Sequence, residues 1–198
     1  MPWVEPVVLE GEHVRLEPLN LEHTAVLWEA GGHPELWRFM PGVIGSEEQM
    51  RETISWAVQL AEQGAGLAFA TSVKATGEIV GSTGFWNLEP SHKRLEIGYT
   101  WITPRFQRSA VNTECKLLML QHAFEQLGCN RVEFKTDSLN ERSRAAIVRL
   151  GAVEEGTLRN HMVQPDGRLR HSVYFSILTD EWPQVKRRLK GLLESHAG

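Results

Sequence analysis

The sequence predicts a mixed α/β (α+β) fold, a central sheet with helices on its faces. Three observations predict it. Hydrophobic periodicity switches along the chain between the two-residue alternation of strands and the 3.6-residue stripe of helices. The segments run strand, helices, three antiparallel-type strands, helix, strand, helix, hairpin. No repeat, low-complexity tract or linker interrupts that order. The chain therefore reads as one domain over 1–198, with a core of about 8–180 and a C-terminal helix at 181–195.

Each element has a local cause. Residues 13–17 alternate polar and apolar as a half-buried strand does. Asn20 suits the cap of a short helix over 21–29, which Gly31-Gly32 ends, and 33–39 suits a further helical turn before Pro41-Gly42. Ser46 followed by Gln49 is a capping box, and Met50, Ile54, Ala57, Val58 and Ala61 form one stripe of a helix over 47–63. Strands at 67–73 and 78–86 flank Lys74-Ala75-Thr76-Gly77, a turn with Gly where positive φ is needed. A third strand, 94–102, ends at Thr103-Pro104. A long helix over 112–127 stops at Gly128, a strand follows at 131–136, and a helix over 140–150 stops at Gly151. Residues 153–163 and 168–178 flank Pro165-Asp166-Gly167 as a hairpin, and Thr179 or Asp180 suits the cap of the terminal helix.

Composition narrows the function. Hydrophobic residues make up 41% of the 198, enough for a normal core. Lys and Arg number 21 against 25 Asp and Glu, a net charge of −4, so bulk charge does not hold this chain on DNA. No apolar run approaches the roughly 20 residues that cross a bilayer, and residues 1–5 lack the pattern of a secretory signal. Two cysteines, Cys115 and Cys129, read as free thiols in a reducing cytoplasm. The eight histidines lack ligand spacing, so no metal site is expected.

The most informative stretch is 96–114, where a strand stops at Pro104, a short loop of small and basic residues follows, and a helix opens. The free amides of a helix's first turn and its dipole attract anions, and Arg105 and Arg108 add donors for a phosphate. A solvated surface loop is the alternative.

This segment resembles motif A of the GNAT N-acetyltransferases, Q/R-x-x-G-x-G/A, with Gln107-Arg108-Ser109-Ala110-Val111-Asn112 in its frame. Glu96-Ile97-Gly98-Tyr99 before it and Thr113-Glu114 after it look like the branch that acetylates N-termini of ribosomal proteins. Asn140-Glu141-Arg142-Ser143, then Ile147, Leu150 and Gly151-Ala152, resembles the N-x-x-S…L-G-F segment of that branch. The likeness runs from about residue 8 to 180. Ala110 stands where the family has Gly, and Asn112, where it has Gly or Ala, is expected to cap the helix.

The resemblance implies a mostly antiparallel twisted sheet of about six to seven strands with helices on both faces. It implies acetyl-coenzyme A as cosubstrate and a primary amine as acceptor, either a protein N-terminus or a small molecule such as an amino acid or polyamine. A non-catalytic acyl-coenzyme A-binding module is the competing class, and a homodimer is left open. Coenzyme contacts are expected from the backbone at Ile102 and Thr103, from Gln107, Arg108, Ser109, Ala110, Val111, Asn112 and Thr113, and from Asn140 and Ser143.

An amine must lose a proton before it attacks, so a base is needed. Glu96 is the first candidate, with a cross-strand ion pair as its alternative role. Glu133 on the next central strand is the second, and His161, which titrates near neutrality, is the third. Ser143 occupies the family's serine position near the coenzyme sulfur, or else bonds the first helical turn. Trp28, Trp37 and Trp56 fall in helices that would wall the acceptor groove, although filling a core is the simpler reading. The run Lys186-Arg187-Arg188-Leu189-Lys190 reads as a solvated helix face, with ribosomal RNA contact the alternative.

Overall fold

Residues 2–195 are described by the structure, a computed structural model. Eight strands form one sheet in the order β1-β2-β3-β4-β5-β6-β8-β7. They are β1 (Leu9–Glu10), β2 (Val14–Pro18), β3 (Leu67–Val73), β4 (Ile79–Glu89), β5 (Arg94–Ile102), β6 (Arg131–Asp137), β7 (Val153–Val163) and β8 (Leu169–Leu178). The helices are α1 (Thr24–Gly31), α2 (Glu47–Glu62), α3 (Ala110–Gln121), α4 (Glu141–Leu150) and α5 (Trp182–Glu194). The sheet thus exceeds the expected six to seven strands by the two-residue β1, too short to show a period.

All neighbouring strands run antiparallel except β5 and β6. A parallel pair needs a crossover, and α3 supplies it. The two faces differ in cover. Phe85 turns into the large core built with α3, α4 and α5, whereas the next residue, Trp86, packs with Ala57 of α2 and Ala68 of β3. Over β5, β6 and β8 the face continuous with Trp86 is polar, carrying Glu96, Glu133, Lys135, Ser172 and Tyr174 in register. The opposite face carries Leu95, Val132, Phe134, Val173 and Phe175.

Local chemistry explains most boundaries. Asn20 forms a reciprocal capping box with His23, and Ser46 accepts from the Gln49 amide at 3.2 Å. The Gln49 side chain caps one residue further out, on the Gly45 amide at 2.7 Å. Gly77, Gly128 and Gly151 all take positive φ at the expected stops. Two caps differ from expectation. α3 begins at Ala110 with Ser109 as its cap, so Asn112 lies inside the first turn. The shift follows from Arg108, whose φ of 60° turns the chain one residue before Ser109. α5 starts at Trp182 after Glu181, not after a Thr179 or Asp180 side-chain cap, and Pro183 in its first turn needs no donor.

One buried carboxylate ties the ends of the core together. Glu114 of α3 accepts from the amides of Glu12, His13 and Val14 at 2.9, 2.7 and 2.7 Å. A Cβ at Gly11 would come within 2.4 Å of that carboxyl group, so the approach requires glycine there.

Candidate active site

The central feature is a parting of two strands. β5 and β6 pair only over Arg94↔Arg131, Leu95↔Val132 and Glu96↔Glu133. Beyond Glu96, β5 continues six residues to Ile102 without β6 as partner. A bulge lies within that stretch. Gly98 pairs with Gly84 and Trp101 with Ser82, so β5 holds one more residue than β4, and Tyr99 takes φ 49°.

At the far end of β5 lies the loop before α3. Gln107 spans it, its Nε2 donating to the Ile102 carbonyl at 2.8 Å while its Oε1 accepts from Arg142 of α4 at 2.6 Å. Ser109 Oγ accepts from the Val111 amide at 3.3 Å. The remaining amides of the first turn, at Ala110 and Asn112, have no helical partner. Among the described residues the exposed Arg108 guanidinium has neither hydrogen bond nor ion pair, while Arg105 pairs with Glu78. Positive φ at Arg108, free first-turn amides and an unengaged guanidinium together give the chemistry of an anion cradle.

Several expected contacts are spoken for within the protein. The Ile102 carbonyl is held by Gln107, and the Thr103 amide donates to Val80 at 2.8 Å. Thr113 is fully buried with its hydroxyl accepting from Arg149 at 2.9 Å, and the Val111 side chain is core. Asn140 is the cap of α4, accepting from the Ser143 amide at 3.0 Å, which leaves its Nδ2 free. Ser143 is half-buried one turn along.

The polar face brings two of the catalytic candidates together. Glu96, 2% exposed, accepts from Asn87 Nδ2 at 2.7 Å and lies 3.1 Å from Lys135 Nζ. Lys135 sits over the Tyr174 ring at 5.9 Å, and the His161 ring meets Tyr174 edge-on at 5.8 Å. His161 Nδ1 is 3.0 Å from Ser172 Oγ. Burial first, then Lys135 and Arg170, holds the His161 imidazole below its ordinary value, so it is neutral at pH 7. Glu133, the cross-strand neighbour of Glu96, is held by Arg131 Nε at 2.9 Å and Arg94 Nη1 at 3.3 Å. Both cysteine thiols are buried, and burial pushes them up to about 12.

Sequence reasoning missed Lys135, Tyr174 and Arg170. Arg170 is 3% exposed and donates to the Phe39 carbonyl at 3.3 Å, joining β8 to the segment after α1. The strand alternation of 168–178 places Arg170 and Tyr174 on one face; only pairing with β6 brings that face beside Lys135 and Glu96.

The first turn of α3 with Arg108 lies at one end of the parted strands, and the polar cluster of Glu96, Lys135, Tyr174 and His161 at the other. The Acetyltransferase (GNAT) domain family matches residues 13–153. The chain is 33% identical over 185 residues to "Putative ribosomal N-acetyltransferase YdaF" of Bacillus subtilis (strain 168), covering 89% of this chain and 97% of that one. A GCN5-related N-acetyltransferase from Brucella melitensis superposes with TM-score 0.90 at 30% identity, covering 97% of this chain and 87% of that chain. A "putative acetyltransferase" from T. thermophilus superposes at 0.87 with 39% identity, covering 96% and 99%. The chain belongs to the GNAT family of N-acetyltransferases. It is an acyltransferase of a family that uses acetyl-coenzyme A and acts on amines.

Proposed function

We propose that this protein transfers the acetyl group of acetyl-coenzyme A directly to the free amine at the N-terminus of a polypeptide. The observation that carries the reading is the parting of β5 from β6 beyond Glu96 and Glu133, which connects the cradle before α3 with the groove on the polar face. The name of the Bacillus subtilis relative supports the polypeptide acceptor.

In this reading Arg108, the amides of Ala110 and Asn112 and the Gln107–Arg142 pair receive the pyrophosphate end. Asn140 Nδ2 and Ser143 Oγ serve the reactive end, and Ile102 and Thr103 line the arm between. Glu96 removes the proton from the incoming ammonium, with His161 as a second acceptor nearby. The neutral amine nitrogen then bonds to the acetyl carbon, the carbon–sulfur bond breaks, and the second proton that the nitrogen sheds passes to the departing thiolate. Unpaired β5 amides beyond Glu96 stabilise the oxyanion.

The test is thiol release from acetyl-coenzyme A with N-terminal peptides, polyamines and amino acids as acceptors. Turnover with peptides is expected. Turnover with polyamines or amino acids alone overturns the acceptor, and coenzyme binding without release from any amine overturns the enzyme reading in favour of a binding module.

A further inference from the structure

A cavity of about 410 Å³ opens between α2, the segment 40–44 and strands β3 to β5. Its wall is aromatic. Trp56 stacks on Trp86 at 5.2 Å and 14°, and Tyr99 leans on both at 5.7 and 5.2 Å. Trp86 is buried, but Trp56 is 42% and Tyr99 38% exposed, so two of the three rings present apolar surface that the protein itself does not cover. Glu52 is the one charged residue among those lining the cavity, and no cation lines it.

The floor is built for this. A Cβ at Gly84 would lie 2.8 Å from the Trp86 indole, and one at Gly66 2.9 Å from it. Two glycines therefore let the indole lie flat against the sheet. Trp86 Nε1 donates to the Gly98 carbonyl at 3.2 Å, so the ring's polar edge is satisfied and its faces are left for apolar contact. Trp101, Trp37 and Met50 close the deep end.

The cavity adjoins the proposed chemistry. Trp86 is the cross-strand partner of Glu96, and Tyr99 is the bulge residue of the stretch of β5 that leaves β6. An amine at Glu96 therefore carries its substituent toward the rings. Resting on the acceptor reading above, we infer that the cavity is a specificity pocket for a large uncharged apolar side chain, aromatic above all, on the residue that bears the acceptor amine. Ring faces and absent cations disfavour an acidic residue, and Glu52 adds repulsion against one. The volume exceeds any single side chain, so bulk is no bar.

Two measurements test it separately from the acceptor reading. The first compares kcat/KM for peptides that begin with Phe, Leu, Ser and Asp but are otherwise identical. Phe should exceed Ser roughly 10- to 100-fold, as hydrophobic pockets discriminate, and Asp should be poorest. Trp56→Ala should shrink the Phe-to-Ser ratio below roughly threefold, and Trp56→Phe should restore it. Thermal unfolding of both variants checks that removing the half-exposed ring leaves the fold intact. The second is calorimetry with N-acetyl-phenylalaninamide and N-acetyl-serinamide, which have no amine to acetylate. Tighter binding of the phenylalanine compound, lost in Trp56→Ala, supports the pocket even where no peptide turns over, an outcome that would count against the acceptor reading alone. Equal binding of the two, or a Phe-to-Ser ratio near one in an active enzyme, overturns the inference.

Discussion

Lys135 Nζ lies 3.1 Å from Glu96 Oε2, an ion pair in which the carboxylate is almost wholly buried. Asn87 donates to the same oxygen at 2.7 Å, so two donors fix the position of a carboxylate on the polar half of the sheet. Glu96→Gln is near-isosteric and should lower kcat at least 100-fold with coenzyme affinity unchanged. A Glu96→Gln enzyme with normal kcat but reduced thermal stability would assign the pair to structure.

The cradle before α3 makes its own prediction. Ala110 is the first residue of the helix, where an acidic side chain favours the dipole. Ala110→Asp should therefore fold normally while setting a carboxylate against the coenzyme's phosphates. Calorimetry should show acetyl-coenzyme A binding weakened by well over tenfold, more at low salt than at high.

The two residues opening α4 can be told apart. Asn140→Ala removes a helix cap and should cost about 1 kcal/mol in urea unfolding, along with coenzyme affinity. Asn140→Asp keeps the accepting oxygen and should retain stability while losing the affinity that Nδ2 supplies. Ser143→Ala should leave both nearly unchanged and lower kcat roughly 10- to 100-fold, measured where chemistry limits the rate.

Lys116 carries a cost that the fold tolerates. Its ammonium is buried against Thr83 Oγ1 at 3.1 Å and Thr100 Oγ1 at 2.6 Å, with no ion pair among the described residues. Desolvation lowers its pKa to about 8. The unfolded chain holds that proton up to about pH 10.4, so stability is highest above that value. It falls as pH drops through about 8 and is fully reduced at pH 7. Lys116→Met should thus stabilise the protein by about 2 kcal/mol at pH 7, the gain fading toward pH 10. Thr83 and Thr100, 2.8 Å apart, can keep each other as hydrogen-bond partners once the ammonium is gone. Denaturant titrations at the two pH values check the sign.

The order of elements, the stops at Gly77, Gly128 and Gly151, and the loop before α3 were legible because each has a local cause within a few residues. What local pattern hid was anything decided by a non-glycine turn or by pairing. Arg108 at positive φ advanced α3 by two residues and passed its cap from Asn112 to Ser109. Glu133 looked as available as Glu96 until Arg94 and Arg131 were seen to flank it from neighbouring positions. Lys135 and Tyr174 lie 39 residues apart, and only the β6–β8 register sets them side by side. Trp56 and Trp37 divide the expectation between them, the first half-open at a cavity and the second buried in the core beneath it.

Glu114 and the amides it accepts are separated by 100 to 102 residues. As the chain is synthesised, residues 12–14 wait for 100 to 102 further residues before that carboxylate arrives. Long waits of this kind slow folding and leave a strand edge open to wrong partners. α3, which carries that carboxylate, gains this anchor only then. The ribbon of β1 and β2 and the loop before α3 are thus completed in a single late event, and a substitution that hinders the ribbon should be felt first as poor folding yield rather than as a weakened enzyme.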